Sequence, residues 1–185
     1  MANINVKVKR LHPDAVLPKK AHTDDAGFDL VAVEDVLINP GGTVLVKTGL
    51  AFELPPGYEM QIRPRSGVTL KTELRVQLGT VDSNYRGEVG VIVDNRFQTL
   101  FERNGDVAMT DVVATMEGTN DDTTFARTHC FPSGTYYIPK GTRIAQAVIQ
   151  RLPSVEMFEV DELGDSGRGT AGFGSTGVRE TDKND

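Results

Sequence analysis

Gly79-Thr80-Val81-Asp82-Ser83-Asn84-Tyr85-Arg86-Gly87-Glu88-Val89-Gly90 is the stretch that decides the fold. Its apolar and β-branched ends flank a centre of Asp, Ser and Asn, so it reads as strand, turn, strand. Val89, Val91 and Val93 continue the period of two that buries one face of a strand. Upstream, Tyr58, Met60 and Ile62 alternate between the Pro55-Pro56-Gly57 turn and Pro64. Thr43 to Val46, then Leu50, Phe52 and Leu54, read as two strands separated by Gly49. Ile4, Val6 and Val8 predict a strand with one buried face. Downstream, Ile144, Gln146, Val148 and Gln150 lie on one face, with Ala145, Ala147 and Ile149 on the other. Val155, Met157 and Glu159 alternate with Glu156, Phe158 and Val160. Recurring strands with turn signals between them predict an all-β sandwich or jelly roll. Helix is sparse: Ser66 is placed to N-cap a short turn across Val68 to Leu74.

The chain of 185 residues suits one domain with an ordinary core. Charged residues are 25% and hydrophobic residues 38%, which favours a folded chain over a disordered one. Acidic residues number 26 against 20 basic, a net charge of -6. That excess argues against a nucleic-acid coat or an anionic-membrane binder but leaves room for a local basic pocket. The lone Cys130 excludes an internal disulfide, and the scattered His12, His22 and His129 argue against a zinc site. No apolar run has the length of a signal peptide or a membrane span, so a cytoplasmic location is the expectation.

Residues 98–133 read differently, being rich in Thr, Asp and Asn. Asn104-Gly105 is a hairpin signal. Met109, Val112, Val113 and Met116 sit at helical spacing, with Asp106 to cap and Gly118 to stop. The two patterns stand side by side, and the stretch is taken as an inserted subdomain of open structure. The expected organisation is a β core over 1–97 and 134–163, the insertion over 98–133, a Gly-rich segment over 164–177 and a disordered tail over 178–185.

Four segments carry chemistry. Pro64-Arg65-Ser66-Gly67 joins a guanidinium, a hydroxyl and backbone N–H groups into a phosphate site, with an Arg-capped turn as the plain alternative. In the 79–90 stretch, Asp82 is placed to orient or deprotonate a water and Tyr85 offers a flat face to a ring or sugar. Arg168-Gly169-Thr170-Ala171-Gly172-Phe173-Gly174-Ser175-Thr176-Gly177 suits a flexible phosphate wrap with one aromatic to stack on a base. Its bland reading is a linker, but almost nothing lies beyond it to link. In Ala26-Gly27-Phe28-Asp29-Leu30, Asp29 would help hold a hydrated Mg²⁺. No Ser/His/Asp or Cys/His set, P-loop or dinucleotide fingerprint suggests itself.

In this order, and with Gly141-Thr142-Arg143-Ile144-Ala145-Gln146 as a further motif, the segments resemble the homotrimeric dUTPase family (deoxyuridine 5′-triphosphate nucleotidohydrolases). The resemblance covers nearly the whole chain except 98–133 and the last eight residues. It implies a jelly-roll-like subunit in a trimer with shared active sites, hydrolysing dUTP to dUMP and pyrophosphate. That reaction keeps uracil out of DNA and supplies dUMP for thymidylate synthesis. By the same resemblance, Asp82 activates the water that attacks the α-phosphorus. Tyr85 packs under the deoxyribose and excludes a 2′-hydroxyl. Backbone near Gly79 and Gly90 reads uracil. Arg65, Ser66, Gly67 and Gln146 hold the phosphates, and Asp29 contacts Mg²⁺ through water. The last motif closes as a lid, with Phe173 on uracil and Arg168, Gly174, Ser175 and Thr176 about the phosphates.

The insertion departs from the family pattern, which usually joins the Val89–Asn95 strand to the Arg143 motif by a much shorter link. Such an insertion would be at home in a phage-encoded member. Two alternatives follow. One is a dCTP deaminase of the same fold, for which Glu88 is the candidate proton shuttle. The other is a nucleotide-sensing regulator that binds a protein partner through 98–133.

Overall fold

The structure, a computed structural model, describes residues 4–110, 113–116, 120–121 and 130–170. It divides into two units, Met1–Pro153 and Ser154–Asp185. Every strand among the described residues lies in the first unit. In chain order these are β1 (Lys7–Arg10), β2 (Phe28–Val31), β3 (Val36–Ile38), β4 (Thr43–Glu53), β5 (Tyr58–Arg63), β6 (Leu74–Val76), β7 (Gly79–Val81) and β8 (Glu88–Asn95). There follow β9 (Met109–Thr110), β10 (Val113–Ala114), β11 (Asn120–Asp121), β12 (Phe131–Pro132), β13 (Tyr136–Ile138) and β14 (Arg143–Arg151). Among the described residues there is one helix, α1 (Ser66–Lys71), between β5 and β6.

Among the described residues, three four-stranded sheets have the orders β1-β4-β8-β6, β2-β14-β5-β7 and β11-β10-β13-β3, and β12 pairs with β9. Alternation explains β8: Val89, Val91, Val93 and Asn95 are buried, while Ile92 faces out. Opposite them, β4 places Val46 against Val91 and Val44 against Val93. Leu30, Val46, Met60, Leu74, Ile138 and Ile144 bring all three large sheets into one core. Burying a side chain of this size is worth about 1.5–3 kcal/mol, and the valine-rich pattern repeats it along the chain.

Thr43–Glu53 is one strand rather than two, because Gly49 forms a bulge instead of a break. Register slips between Lys47 and Ala51. Gly49 has φ +67°, and an added Cβ would lie 2.9 Å from His12 Cβ and 3.0 Å from Ala15 Cβ. The Gly49 N–H donates to the Glu88 carboxylate at 2.8 Å, and Thr48 Oγ1 donates to the Val89 carbonyl. Past the bulge, Leu50, Ala51 and Phe52 are all buried, so alternation fails there.

Three further expectations are corrected. β1 is an edge strand whose four residues are all exposed, so it has no buried face in this chain. Helix α1 starts at Ser66, with Arg65 in the extended conformation at the N-cap position and no side-chain cap bond. Its end is fixed by Thr72, whose Oγ1 donates to the Val68 carbonyl at 2.7 Å. Residues 154–160 form no strand, and their alternating side chains are all exposed.

At the start of 98–133 the hairpin pattern prevails over the helical one. Phe101 bridges Val107 in antiparallel fashion, Ala108 N–H donates to the Leu100 carbonyl, and Gly105 N–H closes the turn on Glu102. Met109 lies in β9 and pairs with Pro132, and Val113 lies in β10. Val112, Gly118 and His129 fall outside the described residues. Asn95 anchors the base of the stretch. Its amide donates to the carbonyls of Ile38 at 2.9 Å and Gly134 at 2.8 Å. Its Oδ1 accepts from Phe97 N–H at 3.0 Å. A buried amide with this full set of partners adds stability where an unpartnered one would remove it.

Candidate active site

The sheet β2-β14-β5-β7 gathers the motifs. Pairing of β2 with β14 sets Asp29 opposite Gln146, and pairing of β14 with β5 sets Gln146 opposite Arg63. The chain leaving β5 turns at Pro64 and enters α1, which brings Arg65, Ser66 and Gly67 to the same place. Arg65 Nε lies 3.4 Å from Asp29 Oδ1, and Arg143 Nη1 lies 3.2 Å from Asp29 Oδ2. Arg65 Nη1 also donates to the Arg143 carbonyl at 3.1 Å. The Asp29 side chain is only 16% exposed. One carboxylate therefore holds two guanidiniums together against their own repulsion.

Beside this cluster lies a cavity of about 650 Å³. Arg65, Ser66, Gly67 and Gln146 line it, and so do Lys71, Met116, Lys140 and Arg143. Lys140 Nζ is bonded to Asp14 Oδ2 at 2.7 Å, which holds the Asp14 carboxyl below its usual range. Gly27 lets Gln146 lie across the backbone, since a Cβ there would meet Gln146 Oε1 at 2.6 Å. Cationic and amide donors around a cavity of this size suit a polyanionic phosphate chain.

The 79–90 stretch is a strand, a turn and a strand, but its two arms belong to different sheets. β7 runs antiparallel to β5 with Gly79 opposite Ile62, whereas β8 lies against β4. Tyr85 N–H donates to the Asp82 carbonyl at 3.1 Å and closes the turn. The Tyr85 hydroxyl donates to the Glu88 carbonyl at 3.1 Å, and the ring lies over Gly87, where an added Cβ would collide with the phenol oxygen. The ring is thus fixed yet 46% exposed, a platform open to a partner. The Asp82 carboxylate is exposed at the turn. Gly90 lies under Leu45, whose Cδ1 would be 2.6 Å from an added Cβ.

The chain does not bring all expected site residues together. Asp82, Gly79, Tyr85 and Gly90 are not among the residues lining the Arg65 cavity. Arg168 is exposed and belongs to the second unit, and Phe173, Gly174, Ser175 and Thr176 lie outside the described residues. Among the described residues no group of three or more metal-ligating side chains occurs. A single carboxylate already engaged by two guanidiniums fits Mg²⁺ held through water and substrate phosphates, and does not fit a cage built by the protein alone. Sequence reasoning assigned no role to Arg143, although it lay inside a quoted motif. It missed Lys71, Lys140 and Met116, whose nearness depends on the fold.

A sequence model of the dUTPase family matches residues 14–108. The deoxyuridine 5′-triphosphate nucleotidohydrolase of Picosynechococcus sp. is 40% identical, over 95% of this chain and all of that one. The protein of the same name from Gloeothece citriformis is 41% identical, over 95% of this chain and 98% of its own. Among solved structures, the Staphylococcus bacteriophage 80alpha dUTPase G164S mutant with dUpNHpp superposes with a TM-score of 0.85 at 32% identity, covering 94% of this chain and 99% of its own. The phage phi11 dUTPase, solved to visualise its species-specific insert, superposes with a TM-score of 0.77 at 31% identity, covering 86% and 97%. The all-β sheets are those of a jelly-roll-like dUTPase fold, and the chain belongs to the dUTPase family.

Proposed function

We propose that the chain hydrolyses dUTP to dUMP and pyrophosphate. The observation that carries this reading is the cationic cavity where the Asp29, Arg65 and Gln146 motifs meet. Asp82 takes a proton from the water that attacks the α-phosphorus, the bond from that phosphorus to the bridging oxygen breaks, and pyrophosphate leaves. Arg65, Ser66, Gly67 and Gln146 hold the phosphate chain in line. Tyr85 packs under the deoxyribose, and backbone beside Gly79 and Gly90 reads the uracil edge. A site built to bond uracil leaves polar groups unpaired against another base, which discriminates strongly. Asp29 would hold a hydrated Mg²⁺ through water, and the ion would offset part of the triphosphate's charge. The 164–177 segment serves as the lid, with Phe173 on uracil and Arg168, Gly174, Ser175 and Thr176 about the phosphates.

The separation of Asp82 and Tyr85 from the Arg65 cavity supports active sites shared between subunits of a homotrimer. Residues of the second unit support assembly too. Met157 is 94% exposed and Phe158 82%, more apolar surface in one segment than a monomer ordinarily leaves open. Hydrolysis in ¹⁸O-labelled water tests the chemistry. Label in dUMP accords with attack at the α-phosphorus, and label in pyrophosphate contradicts it.

A second reading concerns residues 98–133 as a contact for a regulatory protein that responds to nucleotide. Met116 favours it, because it lies in the core and also lines the phosphate cavity, while Leu100, Phe101 and Met109 of the same stretch are exposed. Hydrogen exchange over 98–116 is expected to slow when the imido analogue of dUTP binds. Unchanged exchange would remove this reading and leave hydrolysis standing. Nothing favours deamination: the Glu88 carboxylate is held by the Gly49 N–H at the β4 bulge.

A further inference from the structure

We propose that Lys71, outside the segments that resemble family motifs, is a further phosphate-binding residue that responds to the length of the substrate's phosphate chain. This rests on the dUTP reading above. Four cations line the cavity: Arg65, Lys71, Lys140 and Arg143. Three already have carboxylates. Arg65 and Arg143 share Asp29, and Lys140 is paired with Asp14. Among the described residues, Lys71 has no carboxylate within ion-pair distance, and its side chain is free to turn to a ligand.

The local charge sets the argument. The carboxylates of Asp29 and Asp14 are set against Arg65, Arg143 and Lys140, and Asp35 accepts from the Lys140 backbone N–H at 2.7 Å. Among the described residues, Lys71 is therefore the lining cation whose charge is not set against a carboxylate, and a triphosphate chain supplies the anion for it. Lys71 closes helix α1, whose start carries Ser66 and Gly67. The rise from Gly67 to Lys71 is about 6 Å along the helix axis. The cation therefore stands away from the phosphate held by Arg65–Gly67 and meets the chain further along. An ammonium acts there as a mobile point charge with three donors, suited to a freely rotating terminal phosphate.

The test is a series of ligands with one, two and three phosphates: dUMP, dUDP and the imido analogue of dUTP, each titrated with Mg²⁺ into wild type, Lys71→Ala and Lys71→Arg. Loss of a charge-assisted hydrogen bond is expected to weaken the imido analogue about tenfold or more in Lys71→Ala. The affinity for dUMP should stay within about twofold, and Lys71→Arg should recover most of the loss. The salt dependence of analogue binding should also become shallower in Lys71→Ala. Equal weakening for dUMP and the analogue would show a structural effect and overturn the proposal, as would no weakening for either. Wild type that neither binds the analogue nor hydrolyses dUTP would instead overturn the parent reading, so the two failures are distinct.

Discussion

Asp82 and Tyr85 stand on a four-residue turn closed by one backbone hydrogen bond, and each has an exposed side chain. Neither contributes to a packed core, so substitution there reads out chemistry rather than folding. Asp82→Asn is expected to keep affinity for the imido analogue and lower kcat at least a hundredfold, the lower end for removing a general base. Steady-state kinetics beside equilibrium binding checks it, and normal turnover would remove Asp82 from the water-activating role. Gly87→Ala acts through Tyr85, because the new methyl would collide with the phenol ring. The ring must move, and the ratio of kcat/KM for dUTP over UTP should fall by about fivefold or more, the equivalent of about 1 kcal/mol. An unchanged ratio would show that Tyr85 does not exclude the 2′-hydroxyl. The turn that carries both was legible in the sequence because its Asp, Ser and Asn lie between two apolar runs. The Asp29–Arg65–Arg143 cluster was legible only in part. The motifs were visible, but the sharing of one carboxylate by two guanidiniums follows from pairing of β2 with β14, which no local pattern encodes.

At the scale of elements, the β4 bulge ties the core to the strand that follows the 82–85 turn. Gly49 at φ +67° carries the slip in register, and its N–H holds Glu88 at the head of β8. Gly49→Ala adds left-handed strain of about 1–2 kcal/mol and pushes a methyl against His12 and Ala15. A destabilisation of about 2 kcal/mol or more is expected, measured as a lower urea midpoint. A midpoint equal to wild type would contradict the role given to the bulge. Here the sequence misled in an instructive way. Gly49 reads as punctuation between two strands, since glycine weakens a strand interior; yet a bulge keeps one strand continuous. Alternation likewise found β5 and β8, where one face is buried; in β14, Ile144 and Val148 on one face and Ala145 and Ala147 on the other are all buried. It failed at 154–160, where the same pattern has no partner within the described chain. The 98–133 stretch held both a turn signal and a helical spacing, and cross-strand pairing at Phe101–Val107 decided its first part.

For the whole molecule, the distribution of exposed apolar groups and the split of site residues point the same way. Val155, Met157, Phe158, Val160 and Leu163 all face solvent in the single chain, and the Asp82 turn and the Arg65 cavity are separate features of it. Both are resolved if three copies assemble and complete one another's sites. Light scattering on the purified chain should give three times the mass of one subunit at micromolar concentration, and a monomer that hydrolyses dUTP at full rate would contradict shared sites. No helix among the described residues is long and apolar enough to cross a membrane. The central claim is tested most directly by product analysis with Mg²⁺ and a panel of dUTP, UTP, dTTP and dCTP. The account expects dUTP to be converted to dUMP and pyrophosphate while the other three persist. Conversion of dCTP to a uracil nucleotide, or a folded protein that turns over none of the four, would contradict it.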